Sequence, residues 1–304
     1  MRKEGQEKMK RMKVRNKKEN LAGLLFIMPA LIPMAVFWIG PVLYSVGMSF
    51  TDWDMISDHF NFAGFYNYIS LIGQHDFTEV LWNTLAFALG TVVPSIVLGL
   101  LAALALNLAK RSSGFYRAVI FAPYITPMVA VSIVWSWIFE PRVGILNYLL
   151  GFLGIHGIEW TQSMDTAMLS VIIVTVWKQI GWTMLFYLGA LQKVSANLLE
   201  AAAIDGADSV RKFFSITLPM ISPTTFFLLI ITTINSLQAY DQIQVLTQGG
   251  PAGSTRTLLY YFYQEAFESF NTGKASSVAV ILVILTALLS LIEKRASKNS
   301  VYYG

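Results

Sequence analysis

The chain has 304 residues, 55% hydrophobic and 13% charged, with 22 Lys and Arg against 18 Asp and Glu and no cysteine. A soluble domain carries about a quarter charged residues, so the composition excludes an ordinary water-soluble enzyme or binding module and makes lipid the expected solvent. Disulfides, thiol chemistry and cysteine-based metal sites are excluded, and the net charge of +4 is spread beside apolar runs rather than gathered into a nucleic-acid-binding patch.

In chain order, the first element is a basic tail, residues 1–20, which holds nine Lys and Arg from Arg2 to Lys18. It is expected to rest against an anionic inner leaflet. A helix that crosses a hydrocarbon core of about 30 Å needs about 20 mostly apolar residues. Six stretches meet or approach that length: residues 21–50, 81–108, 118–139, 167–191, 219–237 and 275–292. No small-residue cleavage site follows the first, which reads as an anchored span rather than a removed signal peptide. Two shorter apolar stretches fall outside the set. Residues 144–155 fit a helix lying at the surface or dipping into the bundle, and residues 258–270, which carry Glu265 and Glu268, suit an interfacial position. The expected fold is an all-α integral membrane bundle of about six transmembrane helices over 21–292, followed by a cytoplasmic tail, 293–304.

Orientation follows from the remaining cations. Lys110, Arg111 and Arg117 fall in the second connection, Lys193, Arg211 and Lys212 in the fourth, and Lys294, Arg295 and Lys298 in the tail. The opposite side receives Arg142, Arg256 and Lys274, while Lys178 lies inside a span. The count is eighteen against three, which places both termini in the cytoplasm.

No Gly-x-x-x-x-Gly-Lys-Ser/Thr loop occurs, so the chain is not expected to bind ATP in that manner. His59, His75 and His156 fall in external connections without metal-ligand spacing. Paired carboxylates, His-Glu-x-x-His and Gly-x-Ser-x-Gly are likewise missing. The chain reads as no enzyme, with no metal and no cofactor of its own.

The connection 195–219 is the most informative segment. Ser195 is placed to cap a short helix that Leu198 to Ile204 favour by propensity, and Gly206 is suited to end it in the left-handed conformation. Asp208 or Ser209 then caps a second helix, with Val210, Phe213 and Phe214 on one face. Pro219 is expected to open the fifth span. On helix pattern alone this is either a docking surface or an ordinary amphipathic connection.

Spacing adds more. Glu200-Ala201-Ala202, three residues, Gly206, nine residues, Ile216, one residue and Leu218-Pro219 resemble the complete EAA motif of bacterial ABC importer permeases. Ala122-Pro-Tyr-Ile-Thr-Pro127, Trp135-Ser-Trp137, Gly144-Ile-Leu-Asn147 and Leu246-Thr-Gln-Gly-Gly-Pro251 resemble segments of the binding-protein-dependent carbohydrate-uptake branch, the maltose and glycerol-phosphate type. Pro41, Ser49-Phe50 and Asp52-Trp53 are similar too, so the resemblance covers nearly all of residues 20–292.

The resemblance implies a permease of the bacterial cell membrane that forms half of a pathway for a sugar or sugar derivative. It implies a cytoplasmic ABC ATPase dimer that binds the ATP and Mg, a second permease subunit expected to be a different chain, an extracellular solute-binding protein, and surrounding lipid. The ATPase-coupling residues would be Glu200, Ala201, Ala202, Asp205, Gly206, Phe213, Phe214, Ile216, Leu218 and Pro219. Glu200 would carry charge at the dock, Gly206 would set the angle between the short helices, and Phe213 and Phe214 would bury.

Asn83, Lys178, Gln179, Asn235, Gln238, Tyr240 and Asp241 are polar groups in or near spans. They are expected to face the bundle interior, either lining a substrate path or bonding helix to helix. Lys178 could face the path or pair with a carboxylate of another subunit. Trp177 and Trp182 either stack on a sugar ring or anchor their span. The segment around Gly249, Gly250 and Pro251 cannot be regular helix, and is either a binding-protein contact or a plain turn. The alternatives are an ABC importer permease for a non-sugar solute and an ion-driven secondary carrier. Carriers show intramembrane ionisable relays and internal repeats, neither of which is visible here.

Overall fold

The structure is a computed structural model that describes residues 23–108 and 113–297. The basic tail 1–20, Lys110, Arg111 and the tail from Lys298 onward lie outside the described residues. Among the described residues, extended pairing is limited to a bridge between Thr51 and Phe62. The rest of the regular structure is helical: α1 Gly23–Met48, α2 Tyr66–Ile72, α3 His75–Leu108, α4 Ser113–Ile125, α5 Met128–Ile138, α6 Ile145–Phe152, α7 Met164–Leu191, α8 Ala196–Ile204, α9 Ser209–Leu237, α10 Asp241–Leu246, α11 Leu258–Tyr263 and α12 Thr272–Ser297. Five of these, α1, α3, α7, α9 and α12, are long and apolar enough to cross a bilayer, and α4 with α5 makes a sixth if the bent pair counts as one.

That pair is the first correction. Residues 118–139 read as one continuous span, but the chain bends by 99° between α4 and α5. Pro127 is responsible: it has no N–H to donate and pushes the residue before it away from helical geometry. The two halves also have different neighbours, since α4 packs along α7 while α5 packs chiefly against α10.

The second correction concerns the fifth span, which begins not at Pro219 but ten residues earlier, at Ser209. The helix passes Pro219 by widening into a π turn, Phe213–Thr217, closed by the Leu218 N–H donating to the Phe213 carbonyl. The same device appears in α1, where a π turn, Ala35–Ile39, precedes Pro41 and the Gly40 N–H donates to the Ala35 carbonyl. In both places the carbonyl four residues before the proline, the one its ring would strike, sits at the centre of the widened turn. Further along α9, Pro223 cannot donate to the Pro219 carbonyl, and the Ser222 hydroxyl donates there instead at 2.6 Å.

The bundle is built on α3 and α7. At 34 residues α3 is about 51 Å long at 1.5 Å per residue, enough to overhang the hydrocarbon. The two helices touch through a small residue: a Cβ on Gly99 would collide with the Thr183 side chain. The Thr183 hydroxyl in turn donates across to the Ser95 carbonyl at 2.8 Å. Lipid drives no hydrophobic association between helices, so such close contacts and interhelical hydrogen bonds hold the pair together. Buried hydroxyls that face no partner helix bond back to their own turn, as Thr91 does to the Phe87 carbonyl and Thr232 to that of Leu228. Three buried clusters surround this pair: Met184, Tyr187 and Leu228 towards α9, Phe87, Val171 and Ile243 towards α5 and α10, and Phe77, Leu258 and Val278 towards α11 and α12.

Helix α11 packs into the bundle against α12. Leu258, Tyr260 and Tyr261 are buried, and Glu265, in the π turn Gln264–Glu268 that follows, is buried as well. Glu265 accepts from Lys274 at 2.9 Å, and the ammonium also lies over the Tyr261 ring, 5.3 Å from its centroid. Glu268 is exposed.

Candidate functional site

The segment expected to couple to a partner is a helix–turn–helix that stands off the bundle between α7 and α9. Helix α8 buries none of its residues. Ser195 occupies its N-cap position with extended backbone but makes no side-chain cap bond, contrary to expectation. At the other end Gly206 is left-handed, φ +83°, as its position suggested. The Ala207 N–H donates to the Ala202 carbonyl at 2.8 Å, and the Gly206 N–H to the Ala203 carbonyl at 3.1 Å. These two bonds make a Schellman motif, which satisfies the carbonyls that a helix end otherwise leaves open. Asp208, rather than Ser209, caps the next helix: its Oδ1 accepts from the Arg211 N–H at 2.8 Å.

The joint between α8 and α9 is thus fixed by backbone hydrogen bonds at one end and a carboxylate cap at the other. Glu200, Ala201 and Asp205 are exposed, and Ala202, Phe213, Ile216, Leu218 and Pro219 are half-buried. Phe213 and Phe214 meet edge to face at 5.1 Å. Phe214 is 61% exposed and Ile204 88%, with Leu198 and Val210 also open, so the loop presents large apolar side chains. Leu218 and Val194 pack on the α3–α7–α9 cluster and root the loop in the bundle.

The polar residues named as path candidates do not form one group. Asn83 is engaged in holding the external segment: its Nδ2 donates to the carbonyls of Gly253 at 3.0 Å and Arg256 at 3.3 Å. Lys178 has a partner that sequence reading did not consider. Its ammonium donates at 2.8 Å to the carbonyl of Tyr124, at the end of α4, which the break at Pro127 leaves without its helical donor. It also lies over the Tyr124 ring at 5.0 Å. A cation at a helix C-terminus meets the negative end of the helix dipole, so Lys178 closes the broken span from the side. Three residues on, and so on the same face, a Cβ on Gly181 would strike the Ile120 carbonyl and come within 2.7 Å of the Phe121 Cα. These two contacts fasten α4 to α7.

Trp182 stacks on Tyr124 at 5.0 Å and meets the Phe186 ring, tilted by 60°, at 4.4 Å. Gln179 Oε1 and Trp182 Nε1 are buried without a hydrogen-bond partner among the described residues. Trp177 is 41% exposed and meets Trp135 edge to face at 5.5 Å. Asn235, Gln238 and Asp241 are exposed about the junction of α9 and α10. Tyr240, at the same junction, packs against Tyr263 at 4.8 Å and Tyr260 at 5.9 Å. Burial first, and the Tyr263 hydroxyl second, raise the Tyr240 phenol above its ordinary value, so it acts as a neutral hydrogen-bonding group.

The segment around Gly249, Gly250 and Pro251 is folded tightly. The Thr247 and Thr255 hydroxyls are 2.7 Å apart, and Thr255 also donates to the Gly250 carbonyl at 3.0 Å. Thr255 and Thr257 are fully or nearly fully buried.

Sequence reading missed two side chains. Asn147 was noted only as part of a resembling segment, yet it organises residues 141–160: its Nδ2 donates to the carbonyls of Pro141 and Ile158, and its Oδ1 accepts from the Ile158 N–H and from Trp160 Nε1. Glu293 was placed in the tail but lies within α12 and accepts from the Thr233 hydroxyl at 2.7 Å.

Comparison with known proteins agrees with this architecture. Residues 95–298 match the family described as binding-protein-dependent transport system inner membrane component. The sn-glycerol-3-phosphate transport system permease protein UgpA of Agrobacterium fabrum is 33% identical over 283 residues, covering 92% of this chain and 96% of that protein. The probable ABC transporter permease protein YurN of Bacillus subtilis is 32% identical over 279 residues, covering 90% and 95%. A bacterial alginate ABC transporter, solved in complex with alginate pentasaccharide-bound periplasmic protein, shares the fold with a TM-score of 0.81 at 21% identity, over 95% of this chain and 98% of that one. The chain belongs to the binding-protein-dependent transport system inner membrane components, the multi-pass permease subunits of ABC importers.

Proposed function

We propose that this permease forms half of the translocation pathway for a sugar or sugar derivative handed over by an extracellular binding protein, with both termini in the cytoplasm. In this reading a second permease completes the pathway, and a separate cytoplasmic ATPase dimer binds ATP and Mg and drives transport through the 195–219 loop. The observation that carries it is the loop itself, a joint locked by the left-handed Gly206 and the Asp208 cap, with Leu198, Ile204, Val210 and Phe214 open for burial. A rigid segment with exposed apolar side chains gains from a groove that covers them, and its rigidity lets displacement pass into α7 and α9. For the cargo, support comes from relatives named for sn-glycerol-3-phosphate transport.

The test is co-purification of the chain with ATPase subunits, then ATP hydrolysis in nanodiscs with and without binding protein and candidate sugars. Recovery of an ATPase, with hydrolysis raised by sugar-loaded binding protein, is expected. Glu200→Lys and Gly206→Asp should each lower both recovery and stimulation. If neither change affects transport or assembly, the loop is not the coupling element. Stimulation by a non-sugar solute alone would reassign the cargo, and transport driven by an ion gradient without ATP would overturn the reading.

A further inference from the structure

Phe213 and Phe214 were expected to bury together, but the structure separates them: Phe213 is half-buried and Phe214 is 61% exposed. The reason lies in the register of α9. Its inward face is marked by Leu218, which packs on the α3–α7–α9 cluster, and by Ile221 and Leu228, which are fully buried. On an uninterrupted α-helix, the side chain four residues before Leu218 and seven before Ile221 shares that face. That residue is Phe214. The π turn Phe213–Thr217 takes up one extra residue, since the Leu218 N–H reaches back five positions to the Phe213 carbonyl. The chain ahead of it is therefore turned by about 100° relative to the bundle, and Phe213 takes the inward place.

Both registers are open to this sequence, because a phenylalanine fills the inward place in either. Packing is then nearly indifferent between them, and Pro219 decides. In the α register its ring would strike the Ser215 carbonyl, which sits at the centre of the widened turn. Proline by itself does not force widening, since Pro94 and Pro223 lie within α-helix. What differs at Pro219 is the adjacent pair of equivalent side chains, which lets the helix slip by one residue and still turn an aromatic ring inward. The slip carries Val210 with it. Val210 is exposed, four residues before Phe214, so the two share one outward face.

We propose that the π turn ahead of Pro219 sets the rotational phase of the coupling joint, so that Phe214 and Val210 are presented to the ATPase and Phe213 is not. Pro219 is in this sense a positioning residue for the dock. In the α register Phe214 would face the bundle, and the start of α9 would offer the partner a different side. The proposal rests on the coupling role proposed for residues 195–219.

The test brings the permease in nanodiscs together with its purified ATPase subunits. Benzoylphenylalanine in place of Phe214 is expected to capture the ATPase on illumination, and in place of Phe213 to capture none. Pro219→Ala should return the helix to the α register, seen by cryo-electron microscopy as Phe214 turned inward and Phe213 outward. Its ATPase binding should weaken by about tenfold or more, the factor that covering one phenylalanine side chain supports. Deleting Ser215 from Pro219→Ala removes the extra residue, puts Phe213 four positions before Leu218, and should restore binding. A π turn that persists in Pro219→Ala overturns the role of the proline. Capture from position 213 as strong as from 214 overturns the phase, and so does weak binding that the deletion fails to restore. Wild-type binding by Pro219→Ala overturns the proposal as well. Glu200→Lys and Gly206→Asp keep the two readings apart: if they also leave assembly intact the coupling reading falls, and if they impair it the phase alone is refuted.

Discussion

Gly206 offers the sharpest test of the 195–219 joint, because the structure separates conformational from steric cost there. Its φ is +83°, and a Cβ built on it meets nothing within 4 Å. Gly206→Ala therefore creates no clash within the chain. It asks an L-residue to hold the left-handed conformation, at a cost of roughly 1–2 kcal/mol. If the Schellman joint is kept, the strain is carried by the free and docked states alike and falls on stability; if the joint opens, the loop must be reordered on docking. The second route predicts ATPase binding weaker by up to roughly 5- to 30-fold. Gly206→Asn should fall between alanine and wild type, since asparagine tolerates this conformation better. The assay is titration of purified ATPase against the permease in nanodiscs, with amide exchange at Ala207 reporting the joint. Alanine binding like wild type, with Ala207 exchanging faster, would refute the claim that a preformed joint is what docks. A loss far beyond about 30-fold would exceed the conformational cost and mean that the added methyl meets the partner directly.

Four other outcomes follow from particular contacts. Gly181→Ala, which drives a methyl into the Ile120 carbonyl, should destabilise the detergent-purified protein by about 1–3 kcal/mol, whereas Gly189→Ala, with nothing within 4 Å, should be neutral or stabilising; thermal melts of the pair measure the difference. Asn147→Ala leaves the Ile158 N–H and Trp160 Nε1 without their acceptor and should cost about 1–3 kcal/mol for each donor left buried, read as faster proteolysis within residues 141–160. Lys178→Met strips the Tyr124 carbonyl of its donor, while Lys178→Arg retains one; transport is expected to fall in the first and recover in the second, and equal loss in both would argue against the bond. The Asn61 backbone N–H, donating to Asp52 at 2.6 Å, lowers that carboxyl's pKa below the usual value. The stabilisation is therefore complete above the ordinary carboxylate pKa and is lost as pH falls through the lowered one, which amide exchange at Asn61 will show.

The spans were legible wherever the signal was an unbroken apolar run. Helices α3, α7 and α12 each start within a few residues of where the run does, and polar flanks account for the difference. The break between α4 and α5 was visible as Pro123 and Pro127, but mean apolarity runs straight across it, and a hydropathy reading cannot tell a crossing from a 99° bend. Pro219 misled in the opposite direction. Proline normally marks a helix start, whereas here the π turn ahead of it lets α9 continue from Ser209. Gly206 and Asp208 were legible because their roles are local. Lys178, Asn83 and Glu293 were not, because their partners lie 54, 170 and 60 residues away. For Lys178 and Asn83 the partner is a backbone carbonyl, a group that every residue carries and no sequence pattern marks.

Polar groups in such a bundle therefore answer to backbone carbonyls as much as to other side chains. A lone lysine in an apolar span suggests cargo or a missing carboxylate, and on sequence neither can be dismissed. The bend at Pro127 changes the arithmetic, because a span broken in the hydrocarbon leaves carbonyls that must find donors from within the protein. Lys178 supplies one, so the lysine and the proline are two halves of one structural requirement 51 residues apart. The position of the pair matters beyond local satisfaction. Gly181 and Lys178 tie α4 to α7, which leads into the 195–219 loop, while α5 rests on α10. A displacement entering α7 from the loop therefore reaches α4 through close backbone contact and α5 only through the Trp135–Trp177 contact and the side chains around Val171, so the two sides of the Pro127 break are coupled to it unequally.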